Sequence, residues 1–520
     1  MLVCPFYRRK PRAHRMPTLY RSLLVVAVIG WLGLLVARRA FAPLMMSDDD
    51  YRRRRNLWGV LTVAAFLMPN FWAYAVFAAV AIGYAARRDT NPAALFALLL
   101  VIVPPLEAAI PVLFKLHHQR VLVLVLLAPM AWRLMKTPQE PGTPKPVADK
   151  FLLAFCALQF LLLFPYTSAT NSLRQIFLLF VDTWLPYYVM SRIFTRREQL
   201  RDAMACFVLT LIIMAPLGIA EQRLGTLLYG DIAFRWNIDG LFGYLTRGDS
   251  LRAQLASGQA IVLGYQFAVA TGLWLYLQRR IESKAWRWLG VAALTLGLVA
   301  PISRGPWVGA GAVLAVFALL APGASRRLVT WSVGGLVAFG IALILPGGEK
   351  LIAYLPFVGS AAQESVEYRQ EILAVCWRLI QQNPFFGSPF ASEQLESLRT
   401  GEGIIDIVNT YIAMGLAYGM VGVGLFAGTF AAAMWPLVRI VKNQQLSEDA
   451  RYMAASLVAT LVGVLVTIST VSNYLTIPFI YLMVIGMAVS CGRLLRAELS
   501  APEVMPFELQ PQFLAQQRMR

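Results

Sequence analysis

A chain of 520 residues with 58% hydrophobic and 14% charged residues, and a mean hydropathy of +0.60, is too apolar to stay in solution as ordinary globular domains. Its formal charge of +19 does not point to nucleic acid, because the basic residues fall in short clusters between apolar runs, among them Arg52 to Arg55, Arg87-Arg88 and Arg326-Arg327. That is the positive-inside signature of a multi-pass membrane protein, and five cysteines without CxxC spacing supply neither a disulfide framework nor a zinc site.

Residues 1 to 21 are basic and Pro-punctuated and read as a cytoplasmic tail before the apolar run 22–37. That run ends in basic residues with no small-residue cleavage site, so it reads as a retained span. The run 57–86 is either one long span or a hairpin broken at Pro69-Asn70. If both runs cross once, Arg52 to Arg55 face outward, against the charge rule; if the second is a hairpin, the N-terminus is outside. From Arg87 onward, twelve crossings are expected: 93–113, 120–136, 151–165, 173–191, 203–220, 257–277, 288–303, 305–321, 328–346, 409–435, 452–472 and 476–492. The fold class is therefore all-α: a transmembrane helix bundle of about 12–14 spans, counted at ~20 residues per span, with a large helical outward loop. Residues 1–346 form its first part, with an outward segment at 221–256; 347–408 is the loop, 409–492 the last part, and 493–520 a cytoplasmic tail. No fixed-period repeat supports a solenoid or an inverted-repeat transporter.

The loop 347–408 holds eight acidic residues, Glu364, Glu367, Glu371 and Asp406 among them. Residues 361–382 read as one amphipathic helix, opened by a capping box at Ser360 and Gln363 and stopped by Asn383-Pro384. At ~100° per residue, Val366, Leu373, Cys376, Trp377 and Ile380 share an apolar face that includes Arg369, while Glu364, Glu367, Glu371 and Arg378 face water. Arginine is disfavoured in outward loops, so three at the outer boundary call for a reason. Arg252 follows Asp249 and Ser250, either of which can cap a helix that carries Arg252 in its first turn. Arg304 lies in the short turn Ile302-Ser303-Arg304-Gly305-Pro306-Trp307, and Arg369 is the third. A planar guanidinium grips phosphate oxygens with paired donors, so three could hold a diphosphate and stabilise it as it leaves. Each could instead be an interface residue or the partner of a carboxylate.

From Arg247 to Gly428 the chain resembles the O-antigen ligase and O-antigen polymerase superfamily of bacterial membrane glycosyltransferases. The resemblance rests on the stretch Arg252 to Gly258, the Ser303-Arg304-Gly305-Pro306-Trp307 turn, Tyr368-Arg369 through Trp377 with Asn383-Pro384-Phe385-Phe386-Gly387, and Asn409-Thr410-Tyr411 followed by Tyr418-Gly419-Met420-Val421-Gly422. It implies an undecaprenyl-diphosphate-linked glycan as donor and acceptor, transferred at the periplasmic face of the bacterial inner membrane without metal or other cofactor. Arg252, Arg304 and Arg369 would bind the diphosphate, with Arg247, Ser303, Glu367, Asn409 and Tyr411 as substrate contacts. A flippase and a chain-length regulator are candidate partners beside the lipid bilayer itself. Many members carry a His-Asn pair where the loop re-enters the membrane; here it reads Val408-Asn409, and the three histidines, His14, His117 and His118, lie elsewhere. Asp406 is then the candidate base, or a helix cap.

His117-His118 read as a solvated outward turn, not a metal site. Glu107 and Asp182, inside apolar runs, are either functional or paired across a helix contact. The function expected is a polymerase that joins lipid-linked repeat units into surface polysaccharide. The alternatives are an O-antigen ligase acting on lipid A core and a lipid-linked glycan flippase.

Overall fold

A computed structural model describes residues 18–111, 113–137, 145–238, 241–247, 250–323, 363–388, 390–391, 393, 395, 407–474 and 476–500. It is an all-α, multi-pass helical bundle, and seven helices among the described residues are long and apolar enough to cross a membrane. The expected span 328–346, Ser360, Asp406 and the tail beyond residue 500 lie outside the described residues.

The N-terminal run is α1 (Thr18–Phe41), and the ambiguous run 57–86 is two helices, α2 (Asp48–Leu67) and α3 (Phe71–Arg88). Asn70 makes the break, its side chain accepting from Ala73 N–H. The first two helices are antiparallel: Tyr51 Oη donates to Leu34 O at 2.5 Å, and Arg38 pairs with Asp48 at 2.6 Å. Arg52 to Arg55 and Arg87-Arg88 therefore share one end of the bundle, called here the basic end. The start of α1 lies at the other, the loop end. Thr18 and the Arg52 cluster thus lie at opposite ends of the bundle, and of the two N-terminal arrangements the sequence allows, the broken run 57–86 is the hairpin one.

Arg54 is drawn inside at the basic end and is 1% exposed. It grips Asp89 through Nε (2.8 Å) and Nη2 (2.7 Å), and Asp202 through Nη1 (2.5 Å). Asp202 belongs to α10 (Arg197–Leu224), so this pair binds the N-terminal helices to the centre of the molecule. Removing one partner of such a buried pair strands the others, which is why it behaves as a tie.

The expected span 93–113 is not a span. Its helix, α4 (Pro92–Leu99), ends after eight residues, and the chain turns through Pro104-Pro105 into a hairpin of β1 (Glu107–Ile110) and β2 (Phe114–His117). Its apolar residues from Ala93 to Leu106 are buried against other parts of the protein. The chain then returns as α5 (His118–Leu122), a π-helical stretch (Val123–Leu127) and α6 (Ala128–Lys136). After α7 (Val147–Leu163) comes a second interrupted span, α8 (Ala169–Leu178), a π stretch (Leu179–Trp184) and α9 (Leu185–Met190).

Beyond α10 and the short α11 (Gly230–Arg235) follow α12 (Ala260–Leu277), α13 (Lys284–Val299), α14 (Arg304–Leu320), α15 (Gln363–Gln382), α16 (Thr410–Lys442), α17 (Glu448–Ile468) and α18 (Ile477–Ser500). The spans α10, α12, α17 and α18 are 78–89% buried and form the centre, whereas those of α1 and α7 are 22% buried and form the rim. At the basic end Arg197, Arg279 and Arg280 pair with Glu498, Glu448 and Asp449, which fixes the register of α10, α12, α17 and α18.

Candidate functional site

The site is built at the loop end from the C-terminus of α10 upward. Glu221, fully buried there, accepts the backbone N–H groups of Leu228 (2.8 Å), Gln254 (2.6 Å) and Leu255 (2.9 Å). Three donors satisfy the carboxylate and pull the outward segment back on itself. For this reason Arg252 is not in the first turn of a helix, as the sequence suggested. The capture of Gln254 and Leu255 imposes a 3₁₀ turn (Leu255–Ser257), with Leu255 at φ 45° and Gly258 at φ 71°, and the helix starts only at Ala260. Arg252 instead continues a minimal ladder of β3 (Thr246–Arg247) and β4 (Ser250–Leu251).

That strap grips the turn between α13 and α14. Ala253 N–H donates to Ala300 O at 3.2 Å, and Arg252 donates through Nε to Pro301 O (3.1 Å) and through Nη2 to Ser303 Oγ (2.7 Å). Arg247 Nη1 reaches Ile302 O at 2.9 Å. The turn holds Ile302 at φ 46°, a left-handed conformation that costs a β-branched residue on the order of 1–3 kcal/mol. Arg304 follows as the first residue of α14, at the positive end of the helix dipole, where a further cation is disfavoured and an anion favoured. Arg247, Arg252, Ser303 and Arg304, expected from the sequence as site residues, are thus assembled on one turn. Arg369 and Glu367 lie within α15, with side chains outside the described residues.

The connection 469–476 passes directly beside this turn. A Cβ on Gly305 would sit 2.0 Å from Thr470 Oγ1, so the two segments touch. The same connection holds the point where the loop re-enters: Thr410 Oγ1 donates to Val471 O (2.7 Å) and Ser472 Oγ to Ile407 O (2.9 Å). Asn409 caps α16 by accepting from Tyr411 and Ile412 N–H, and the Tyr411 hydroxyl donates to Leu465 O at 2.8 Å.

On the other side of this connection lies a cavity of about 690 Å³, between the hairpin, α7, the π stretch of Leu179–Trp184, α16 and α18. Glu107, His117, Gln119, Arg120, Asp182 and Asn473 line its polar part; Leu152, Phe155, Phe426, Phe430 and Ile485 line its apolar part. The charges are mutually neutralised, Lys115 with Glu107 at 2.6 Å and Arg120 with Asp182 through Nε (2.9 Å) and Nη2 (2.6 Å). Asp182 is therefore paired across a helix contact, one of the two readings its sequence position allowed. His117-His118 is not a solvated turn. His118 is fully buried, with Nδ1 against Tyr74 Oη (3.0 Å) and Nε2 against Leu99 O (3.2 Å). His117 faces the cavity, and burial, with the adjacent Arg120 adding, pushes its pKa down to about 3, so it is neutral. Sequence reasoning missed Gln119, Arg120 and Asn473. Their signal was polar residues at the ends of apolar runs, each of which reads equally well as a boundary.

Helix α15 buries a narrower face than expected. Ile372, Cys376 and Ile380 pack on Ala391, Leu395 and Leu416, while Leu373 and Trp377 are about half exposed. Its end is welded to α16, because Gly419 at φ 62° breaks that helix and the chain after Asn383 fills the break. Met420 N–H donates to Pro384 O (2.8 Å), Val421 N–H to Phe385 O (3.1 Å), and Ser388 N–H to Leu416 O (2.8 Å). Irregular backbone at membrane depth is tolerated where its polar groups are paired in this way.

Residues 289–427 match the family model described as O-Antigen ligase (Wzy_C), a region that includes the Arg304 turn, α15 and the welded kink. The matched region is about a quarter of the chain, and over it the chain is similar to the O-antigen ligase and polymerase superfamily, whose members are membrane glycosyltransferase-like enzymes. Arg247 and Arg252 lie outside the matched region. No curated protein matches the chain.

Proposed function

We propose, with the O-antigen ligase match as premise, that this protein is a polysaccharide polymerase acting at the periplasmic face of the bacterial inner membrane. It joins undecaprenyl-diphosphate-linked repeat units. The acceptor hydroxyl oxygen forms a bond to the anomeric carbon of the donor glycan while that carbon's bond to the diphosphate oxygen breaks. The diphosphate leaves with the electron pair, and the hydroxyl proton passes to a base or to solvent. The observation that carries this reading is the clamp of Arg247 and Arg252 on the 301–303 turn, with Arg304 next in the chain. It gathers cations from segments about fifty residues apart at one helix N-terminus, an arrangement suited to the charge that develops on a departing diphosphate. Arg369 would join them from α15 and Asp406 would take the proton, with Glu367, Asn409 and Tyr411 near the glycan. A flippase and a chain-length regulator would be its working partners.

In purified protein given lipid-linked repeat units in detergent, Arg252→Ala, Arg304→Ala and Arg369→Ala should each abolish long chains and leave single-unit intermediates. Normal chain lengths in all three would refute the assignment, and elongation by the wild type in detergent would remove a flippase as the whole function. A second reading, a ligase that transfers polymer to lipid A core, is favoured by the matched family's description as a ligase; Val408 in place of the family histidine favours the polymerase. A deletion strain that accumulates long lipid-linked polymer, not single repeats, would decide for the ligase.

A further inference from the structure

The arginine turn and the adjoining cavity differ in chemistry. At the turn, cations gather at a helix N-terminus. In the cavity, every formal charge among the described residues has its counter-charge. The Arg120 guanidinium is spent on Asp182 through Nε and Nη2 and on Lys115 O through Nη1, while His117 is neutral. Such a lining offers a diphosphate no net attraction. What it does offer is hydrogen-bonding capacity without a partner. Gln119 is fully buried and lines the cavity; neither its amide oxygen nor its amide nitrogen meets hydrogen-bond geometry with a described residue, and the His117 ring against which its side chain bears can engage one amide end at most. A buried carboxamide left unpaired costs about 1–3 kcal/mol per group. A phosphate, which only accepts, could satisfy the nitrogen alone. A hydroxyl donates and accepts, so a ligand rich in hydroxyls satisfies both ends.

The rest of the lining fits the same class. Asp182 and Thr183 come from a π-helical stretch, a deformation common at binding sites, and Asn473 and Tyr474 come from the connection that also touches the arginine turn. Tyr418, Phe426 and Tyr481 supply apolar faces of the kind that cover the C–H surfaces of a sugar ring.

We propose that this cavity is a saccharide site that receives the terminal, hydroxyl-rich sugar of the acceptor glycan, apart from the arginine turn that takes the diphosphate. The inference rests on the glycosyl-transfer reading above. The connection 470–474 would be the shared wall across which the acceptor sugar reaches the donor.

The test uses the purified full-length protein in detergent and two probes. One is the repeat-unit oligosaccharide, freed from its lipid by mild acid; the other is inorganic diphosphate. The oligosaccharide is titrated by saturation-transfer NMR, and the diphosphate, which carries no carbon-bound protons, by isothermal titration calorimetry. The wild type should bind the oligosaccharide, and Gln119→Met, which keeps the length of the side chain and removes both polar ends, should weaken that binding at least tenfold without changing diphosphate binding. Thr183→Val, an isosteric loss of one hydroxyl, should weaken it about threefold and serves if the Gln119 variant does not fold. Arg252→Ala should do the reverse, weakening diphosphate and sparing the oligosaccharide. The proposal is overturned if the wild type does not bind the oligosaccharide, if neither cavity variant alters its binding, or if diphosphate displaces it. If the cavity variants act as stated but Arg252→Ala leaves diphosphate binding intact, the saccharide site stands and the assignment of the arginines falls.

Discussion

Ser303→Ala separates the position of Arg252 from its charge. Ser303 is 2% exposed, its Oγ receives Arg252 Nη2–H at 2.7 Å, and its own proton goes to Pro301 O at 3.3 Å. It makes no capping bond to α14, so the substitution leaves the helix start untouched. A hydrogen bond to a charged group contributes on the order of 1.5–3 kcal/mol, or about ten- to 150-fold in rate if all of it is expressed in the transition state. Arg252 keeps its second anchor on Pro301 O, so the lower end applies, and kcat/KM for elongation should fall about tenfold. Arg252→Ala should cost more, and the double variant should be little slower than Arg252→Ala alone, because beyond its 3.3 Å bond to Pro301 O the Ser303 hydroxyl acts through that arginine. Elongation rates of purified protein, beside thermal unfolding in the same detergent, measure all three. Fully additive losses, or a wild-type rate in Ser303→Ala, would refute the reasoning.

Gly419→Ala would place a Cβ 2.2 Å from Phe385 C at a left-handed φ, so thermal stability and elongation should both drop, whereas Gly424→Ala, with nothing within 4 Å, should leave both unchanged. Equal behaviour of the two would mean that the weld between α15 and α16 contributes nothing. Arg54→Met leaves Asp89 and Asp202 buried without their cation and should destabilise the fold by about 3–5 kcal/mol, seen as a lowered Tm and poor yield. In a background without other cysteines, Thr18→Cys should react with an impermeant maleimide from the same side as Thr246→Cys and opposite to Arg87→Cys. Labelling of residue 18 together with residue 87 would contradict the antiparallel order of α1, α2 and α3.

Seven of the expected runs coincide with helices long and apolar enough to cross a membrane, because in a chain this hydrophobic an apolar run bounded by arginines has little place to go but across one. The exceptions are local competitions that distant residues decide. The run 93–113 has the composition of a span, yet Pro104-Pro105 stops it, and the apolar residues around them are covered by protein instead of lipid, a difference that hydropathy does not record. Arg252 was expected in a helix because Asp249 and Ser250 are good caps. Glu221, thirty-three residues before Gln254, takes the N–H groups that such a helix would have used. His118 looked exposed since its neighbours are Lys115, Gln119 and Arg120; its partners, Tyr74 and Leu99, are remote in sequence. Residues of the candidate site were legible as neighbours where they share a motif, as Ser303 and Arg304 do, and were not where the contact joins distant segments, as Arg120 with Asp182 does.

The welded kink also explains why two motifs that are weak singly belong together. Gly387 and Gly419 both lie in the left-handed region, and a Cβ on either would enter the backbone of the other's segment, 2.5 Å from Leu416 O in one case and 2.2 Å from Phe385 C in the other. The stretch Asn383–Gly387 is therefore the complement of the break at Gly419, and neither geometry is tenable without the other. That weld fixes the C-terminal end of α15 to α16, while Ser472 and Val471 fix residues 407–410 to the connection that touches both Gly305 and the cavity. The chain is thus fastened near Asn383 to α16 and again near Asn409 to the connection that separates the arginine turn from the cavity.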